Sequence, residues 1–266
     1  MKPNFSTYLS WCKNNLDIDL EAKPASIYEF VIAKLKKDIQ NGHFWADLQT
    51  AIANLNDEYY LENEYPLLRL DEIQLHTKPY SSLIQKSFRK NIIQNSNFPD
   101  PPKSGWVTPY NWFEIIKDLI RTTITVRYLD GVKFTVDGIQ ALAKKHNYKS
   151  EVDFEAREEG YYAAHITIYG KYKIVDENWN EKEIVLPMEI QVTTQLQDVI
   201  KGLLHKMYED TRILAKQGEE YKWQWDYKSI EFSSNYLGHI LHYVEGMILD
   251  VRNKQKTNIK KDETGI

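Results

Sequence analysis

Apolar positions recur along the chain with a helical period in some stretches and a strand period in others. Ser26-Ile27-Tyr28-Glu29 has the form of a capping box and predicts a helix ending near Asn41-Gly42. Leu48, Ile52 and Leu55 keep helical spacing and predict a second helix over 44–62. Leu68, Leu70, Ile73 and Leu75 nearly alternate, the mark of a short strand or connector over 67–75. Pro79 suits the first position of a helix running to about Gln94. The segment 95–105, with Pro99, Pro101 and Pro102, reads as a loop. Thr108-Pro109 opens a helix that reaches about Asp118, and the β-branched stretch from Thr122 to Tyr128 is a strand closed by Asp130-Gly131. Helical spacing returns over 135–147. Two long strands follow, over 161–175 and 183–193, joined by the polar turn Asp176-Glu177-Asn178. Helices are expected over 195–216 and 224–252, with a disordered tail beyond. Leu237, Ile240, Leu241, Val244 and Ile248 form a stripe on the last helix that reads as a core face rather than an oligomer or antitoxin surface.

The pattern gives a mixed α/β fold in which a small sheet lies between helices. The expected divisions are an N-terminal helical extension over 1–66, a core over 67–216, a C-terminal helix over 217–252 and a tail over 253–266. Composition agrees with a folded chain: 18 Tyr, 9 Phe and 7 Trp in 266 residues supply apolar surface to offset the entropy of ordering. No run approaches 18 apolar residues, so no membrane span is expected. A signal-peptide core is absent and Cys12 is the only cysteine, which makes the cytoplasm the expected location. A formal charge of −4 excludes a general basic field for nucleic acid. Charge is uneven, however. Residues 73–99 hold Lys78, Lys86, Arg89 and Lys90, with Glu72 the last acidic residue before Asp100. The run Arg252, Lys254, Lys256, Lys260 and Lys261 reads as a solvated face or frayed tail.

Four constellations could carry chemistry. Lys78, Ser82 and Lys86 step by four along the helix opened by Pro79 and share one face near its N-terminus, a plausible phosphate cradle extended by Arg89. Asp118 precedes one strand and Glu189 lies in another, followed on the same face by Gln191; two such carboxylates could hold Mg²⁺. Gly160-Tyr161, leading to His165, could present a ring for stacking on a base. His205 and Tyr208 share a helical face.

In order and separation, these blocks resemble the synthetase domain of the RelA/SpoT alarmone enzymes over about residues 70–212. The matching pieces are Lys78/Ser82/Lys86, Asp118 with Arg121 following, Gly160-Tyr161 to His165, Glu189-Ile190-Gln191, and His205 with Tyr208. The resemblance implies a nucleotidyltransferase-like fold and transfer of the β,γ-pyrophosphate of ATP to a ribose 3′-hydroxyl. It assigns Lys78, Ser82, Lys86, Arg121 and Arg89 to the ATP phosphates. It assigns Asp118 and Glu189 to Mg²⁺, Glu189 and Gln191 to the acceptor hydroxyl, and Tyr161, Gly160, His165, His205 and Tyr208 to the acceptor side. The implied acceptor is GDP or GTP. Alternatives are a toxin of the same fold acting on the 3′-CCA end of tRNA or on an adenosine nucleotide, and a catalytically silent nucleotide-binding module. An antitoxin or a homo-oligomer is a possible partner. The chain departs from the family pattern at His76 and Thr193, where arginines are usual, at Ile200, where an aromatic is usual, and at Tyr162 and Ala163. Neither His nor Thr supplies a guanidinium fork, so phosphate binding would fall to Arg121, Arg89 or Arg157. No His-Asp dipeptide occurs, so the resemblance is to a synthetase without the hydrolase half.

Overall fold

The computed structural model describes residues 2–69, 73–176, 179–202 and 223–264. Three helices lead: α1 (Phe5–Leu16), α2 (Ala22–Gln40) and α3 (His43–Asn63). The side chain of Asn4 caps α1 by accepting from the Thr7 N–H at 3.0 Å. α2 starts four residues ahead of the expected capping box, so Ser26 lies inside it. Pro24 is tolerated there because the first turn has no intrahelical use for its N–H. Leu68 bridges to Val126, and the backbone then forms β1 (His76–Thr77). Pro79 caps α4 (Tyr80–Phe88), which widens into a π-turn over Arg89–Ile93.

The helix expected up to Asp118 is a single turn, α5 (Trp112–Ile115), because the backbone becomes extended at Ile116. β2 (Ile120–Val126) follows, then α6 (Leu129–Lys145), β3 (Lys149–Ala156), β4 (Tyr162–Val175) and β5 (Glu181–Thr194). Asp130-Gly131 does not close a strand as a turn; it forms the first turn of α6, where the carboxylate favours the helix N-terminus. A side chain in place of Gly131 would strike Leu67. Helix α7 is described over 195–202, and after a short turn at Trp223–Trp225 comes α8 (Ile230–Thr264). Where a tail was expected from 253, α8 continues to Thr264.

The sheet runs β1-β2-β5-β4-β3, with β2 and β5 parallel and the other pairs antiparallel. Along β2, Ile120, Thr122, Ile124 and Val126 are buried, on the face that meets α6 at Gly131. Arg121, Thr123 and Thr125 alternate to the other face. The register sets Arg121 beside Glu189, Thr123 beside Gln191, and Gln191 beside His165 of β4. Polar positions from three strands are thereby gathered on the face opposite α6.

One core joins the N-terminal helices to the sheet. Tyr8, Cys12, Tyr28 and Leu35 pack in the same cluster as Leu83, Trp112, Ile120 and Ile190. Asn91 locks α1 onto α4 by donating to the Tyr8 hydroxyl at 2.8 Å and the Val107 carbonyl at 2.9 Å. At the other end, Arg252 of α8 is buried rather than solvated. It donates to the Tyr59 hydroxyl of α3 at 2.6 Å and to Asp130 of α6 at 2.5 Å. Among the described residues no helix is long and apolar enough to cross a membrane.

Candidate active site

Asp118 sits at the entry to β2 because α5 stops early. Its two oxygens meet Lys86 at 2.7 Å and Lys78 at 3.0 Å. Burial would raise its pKa, but the two ammonium groups outweigh that and hold it at about 2. The Lys78 backbone is fixed from two sides: its N–H donates to the Leu119 carbonyl at 2.9 Å, and its carbonyl accepts from the Tyr28 hydroxyl at 2.6 Å. Ser82 lies half-buried on the same α4 face between the lysines. The next step of four reaches Lys90, whose pKa burial lowers, with the neighbouring Lys86 charge acting in the same direction. Arg89, half-buried at the start of the π-turn, adds its charge to that neighbourhood.

Glu189 stands on the adjacent strand. Its Oε1 accepts from Gln191 Nε2 at 2.5 Å and lies 3.4 Å from His165 Nδ1. Burial opposes its ionisation, yet hydrogen bonding from His165 and that ring's charge bring the pKa below the ordinary glutamate value, while Asp118 pushes it up. Asp118 and Glu189 are ionised at neutral pH and are oxygen donors of the kind Mg²⁺ takes together with substrate phosphates, and here both Asp118 oxygens are held by lysines. No cluster of three His, Cys, Asp or Glu residues with metal-binding geometry occurs among the described residues.

The loop from Arg157 to Tyr161 closes the other side. Tyr161 Oη lies 3.1 Å from His165 Nε2, and Arg157 stands 5.2 Å from the Tyr161 ring while pairing with Glu155 at 2.5 Å. Burial pushes the Tyr161 hydroxyl up to about 12, so it stays protonated. His165 is flanked by Glu155, Glu189 and Tyr161, which fixes the ring between loop and strand. Gly160 adopts φ +75, and a side chain there would collide with the Asn235 carbonyl of α8; Gly238 is the reciprocal partner.

Two residues at positions where the sequence pattern led one to expect arginine or a phosphate contact are accounted for by packing. The Thr193 hydroxyl donates to the Tyr162 carbonyl at 3.4 Å, and the Tyr162 ring stacks on His242 of α8 at 3.7 Å. The cation comes instead from a residue that the motifs do not contain. Lys201 of α7 donates to Gln191 Oε1 at 2.7 Å, and burial lowers its pKa, with Arg121 adding to the effect. Arg121 also acts on Lys78 and Tyr161. Glu155 is the second group that motif reading missed. His205 and Tyr208 lie outside the described residues.

Lys78, Lys86, Lys90, Arg121 and Lys201 therefore surround two carboxylates, an excess of positive charge held on one face of the sheet. A separate cavity of about 260 Å³, walled by Tyr28, Trp112, Phe113 and Ile184 among others, lies at the far end of the β4–β5 hairpin, and none of these five cations lines it.

No family model matches the sequence, and no curated protein sequence matches it. Solved structures do. Small alarmone synthetase 1 from Bacillus subtilis superposes with a TM-score of 0.53 at 11% identity, covering 87% of this chain and 95% of that one. The same enzyme bound to its product pppGpp gives 0.52 at 13% identity, covering 79% and 92%. A GTP pyrophosphokinase family protein from Streptococcus pneumoniae gives 0.51 at 15% identity, covering 88% and 93%. The fold is that of the RelA/SpoT-like synthetases.

Proposed function

We propose that the protein is an ATP-dependent pyrophosphokinase that moves the β,γ-pyrophosphate of ATP to the 3′-hydroxyl of a guanosine nucleotide. The observation that carries this reading is the surplus of buried and half-buried cations around Asp118 and Glu189. A polyphosphate is the ligand whose charge such a site balances. The acceptor 3′-oxygen would attack the β-phosphorus, the bond from that phosphorus to the α,β-bridging oxygen would break, and AMP would leave. Lys78, Lys86, Arg121 and Lys201 would stabilise charge on the phosphoryl oxygens and the leaving group, with Ser82 and Lys90 at the edge of the cradle. Glu189, ionised and oriented by Gln191 and His165, would align the attacking hydroxyl and receive its proton. Asp118 and Glu189 would hold Mg²⁺, which supplies charge neutralisation at the phosphates. Tyr161 would stack on the acceptor base, with Arg157 on its ring and His165 behind it.

A guanosine acceptor is supported by the structure of a synthetase of the same fold bound to its product pppGpp. The experiment is transfer of label from γ-labelled ATP in the presence of Mg²⁺, with GDP, GTP, an adenosine nucleotide and bulk tRNA as separate acceptors. Label should pass to GDP or GTP with release of AMP. Glu189→Gln should lower the rate at least about a hundredfold while leaving the melting temperature within a few degrees. Transfer to tRNA alone would replace the acceptor with an RNA 3′ end. Binding of ATP with no transfer to any acceptor would sink the enzymatic reading.

A further inference from the structure

The apolar stripe on α8, expected as a core face, turns outward: Leu237, Ile240 and Ile248 are 42% to 56% exposed, and α8 meets the body through buried Asn235, Glu245 and Arg252. An apolar recess that belongs to the interior lies elsewhere, in the cavity of about 260 Å³. The first turn of α2, the single turn of α5 and the outer ends of β4 and β5 enclose it. Its walls include Ile27, Tyr28, Trp112, Phe113, Ile174 and Ile184. Protein interiors are close-packed and leave few gaps larger than a water molecule, so a recess of this size is ligand-sized rather than a packing defect. An apolar cavity of about 150 Å³ takes benzene, which gives this one room for a bicyclic ring. The aromatic walls are fixed before any ligand arrives. Tyr28 stacks on Phe113 with ring centres 5.7 Å apart, meets Trp112 edge-on at 6.1 Å, and is anchored by its hydroxyl on the Lys78 carbonyl at 2.6 Å. A preformed wall spares a ligand the entropy of ordering it.

Four charged residues stand around these walls, and three of them are engaged. Lys182 pairs with Glu114 at 3.2 Å, and the Asp176 carboxylate accepts from the Asn180 N–H at 2.9 Å. Lys23 is exposed and makes no ion pair among the described residues. It lies in the first turn of α2, a helix of 19 residues whose N-cap residue, Glu21, supplies no side-chain hydrogen bond. The partial positive charge of that helix end adds to the charge of the ammonium. We infer that this cavity is a binding site for a small aromatic carboxylate, its ring held among Tyr28, Trp112 and Phe113 and its carboxylate at Lys23. The ring gains from burial and from contacts with three aromatic side chains, and the carboxylate balances the one charge at the mouth that is left without a partner. The inference does not rest on the proposed transfer reaction, because none of Lys78, Lys86, Lys90, Arg121 and Lys201 lines the cavity.

The test uses 2-naphthoate as the probe, titrated into the full chain by calorimetry. It should saturate one site with a dissociation constant at or below about 100 μM, and saturating ATP should leave that titration unchanged. Ile27→Trp, which puts an indole into the cavity from a half-buried position, should weaken binding at least about tenfold. Lys23→Ala, at an exposed position, should weaken 2-naphthoate about tenfold and leave uncharged 2-naphthamide within about twofold of wild type. Circular dichroism checks that both variants fold; if Ile27→Trp does not, Lys23→Ala with the two probes decides. The absence of saturable binding up to millimolar 2-naphthoate overturns the inference, and so do variants that bind the probe as wild type does. Tighter binding of 2-naphthylmethylammonium than of the carboxylate overturns the assigned charge. Competition between ATP and the probe overturns the assigned place, by moving the probe to the cations on the sheet. A chain that binds 2-naphthoate as expected and transfers no pyrophosphate would keep this inference and lose the proposed function.

Discussion

At the scale of single residues, Asp118 and Lys201 show how charge is stored before substrate arrives. Asp118 holds Lys78 and Lys86 in position, so the two ammonium groups are already gathered where phosphoryl oxygens would sit. Lys201 is neutralised less fully, with an uncharged amide as its hydrogen-bond partner. Burial lowers its pKa from the ordinary lysine value. The sign follows directly: as pH rises through that lowered value the ammonium is lost, so the ATP affinity proposed to depend on it should fall before free lysine would titrate. Lys201→Ala should raise the KM for ATP about tenfold, the worth of one charge-assisted hydrogen bond. Lys201→Arg should keep ATP affinity to higher pH than wild type, because guanidinium stays charged. A KM-against-pH profile of the three proteins checks both. The carboxylates, the Lys-Ser-Lys face and the Gly-Tyr loop could be singled out in the sequence because together, in this order, they resemble the RelA/SpoT synthetases; no one of them is distinctive by itself. Lys201 could not. A lone lysine in a helical stretch looks like any solvated one until the fold buries it beside Gln191.

At the scale of elements, the long strands β4 and β5 and helices α3 and α4 were legible because each buries one regular face. β3 was missed, since Lys149-Ser150-Glu151-Val152-Asp153-Phe154 is an edge strand whose exposed polar positions hide the alternation. The stripe on α8 was seen, but periodicity reports that a helix has two faces without saying which one turns inward. That orientation matters at the Gly160-Tyr161 loop, proposed to hold the acceptor, where Gly160 and Gly238 let backbone meet backbone. Gly160→Ala places a methyl group against the Asn235 carbonyl and strains a positive φ, so the loop should move. Steady-state kinetics should show the acceptor KM raised about tenfold or more, with the ATP KM changed less than about twofold. Equal changes in both would mean that the loop does not belong to the acceptor side.

At the scale of the whole molecule, a net charge of −4 coexists with a strongly cationic site, which restricts anion attraction to one face instead of the entire surface. The distribution of fastenings is equally uneven. Arg252 ties α3, α6 and α8 together and lies 4.7 Å from the Tyr128 ring. Arg252→Ala leaves Tyr59 and Asp130 without their shared donor and should cost about 2–3 kcal/mol, read as a drop of several degrees in melting temperature. The basic run of which Arg252 is the first member gave no hint of this, because charge patterning alone does not distinguish a buried anchor from a solvated face.

The hydroxyl of Tyr28 reaches across fifty residues of sequence to the main chain of Lys78. The opening quarter of the polypeptide consequently behaves as a brace for the Lys78–Asp118–Lys86 cluster. Exchanging those leading helices for another protein's would leave every reactive group present and still misplace the ammonium around which the others are arranged.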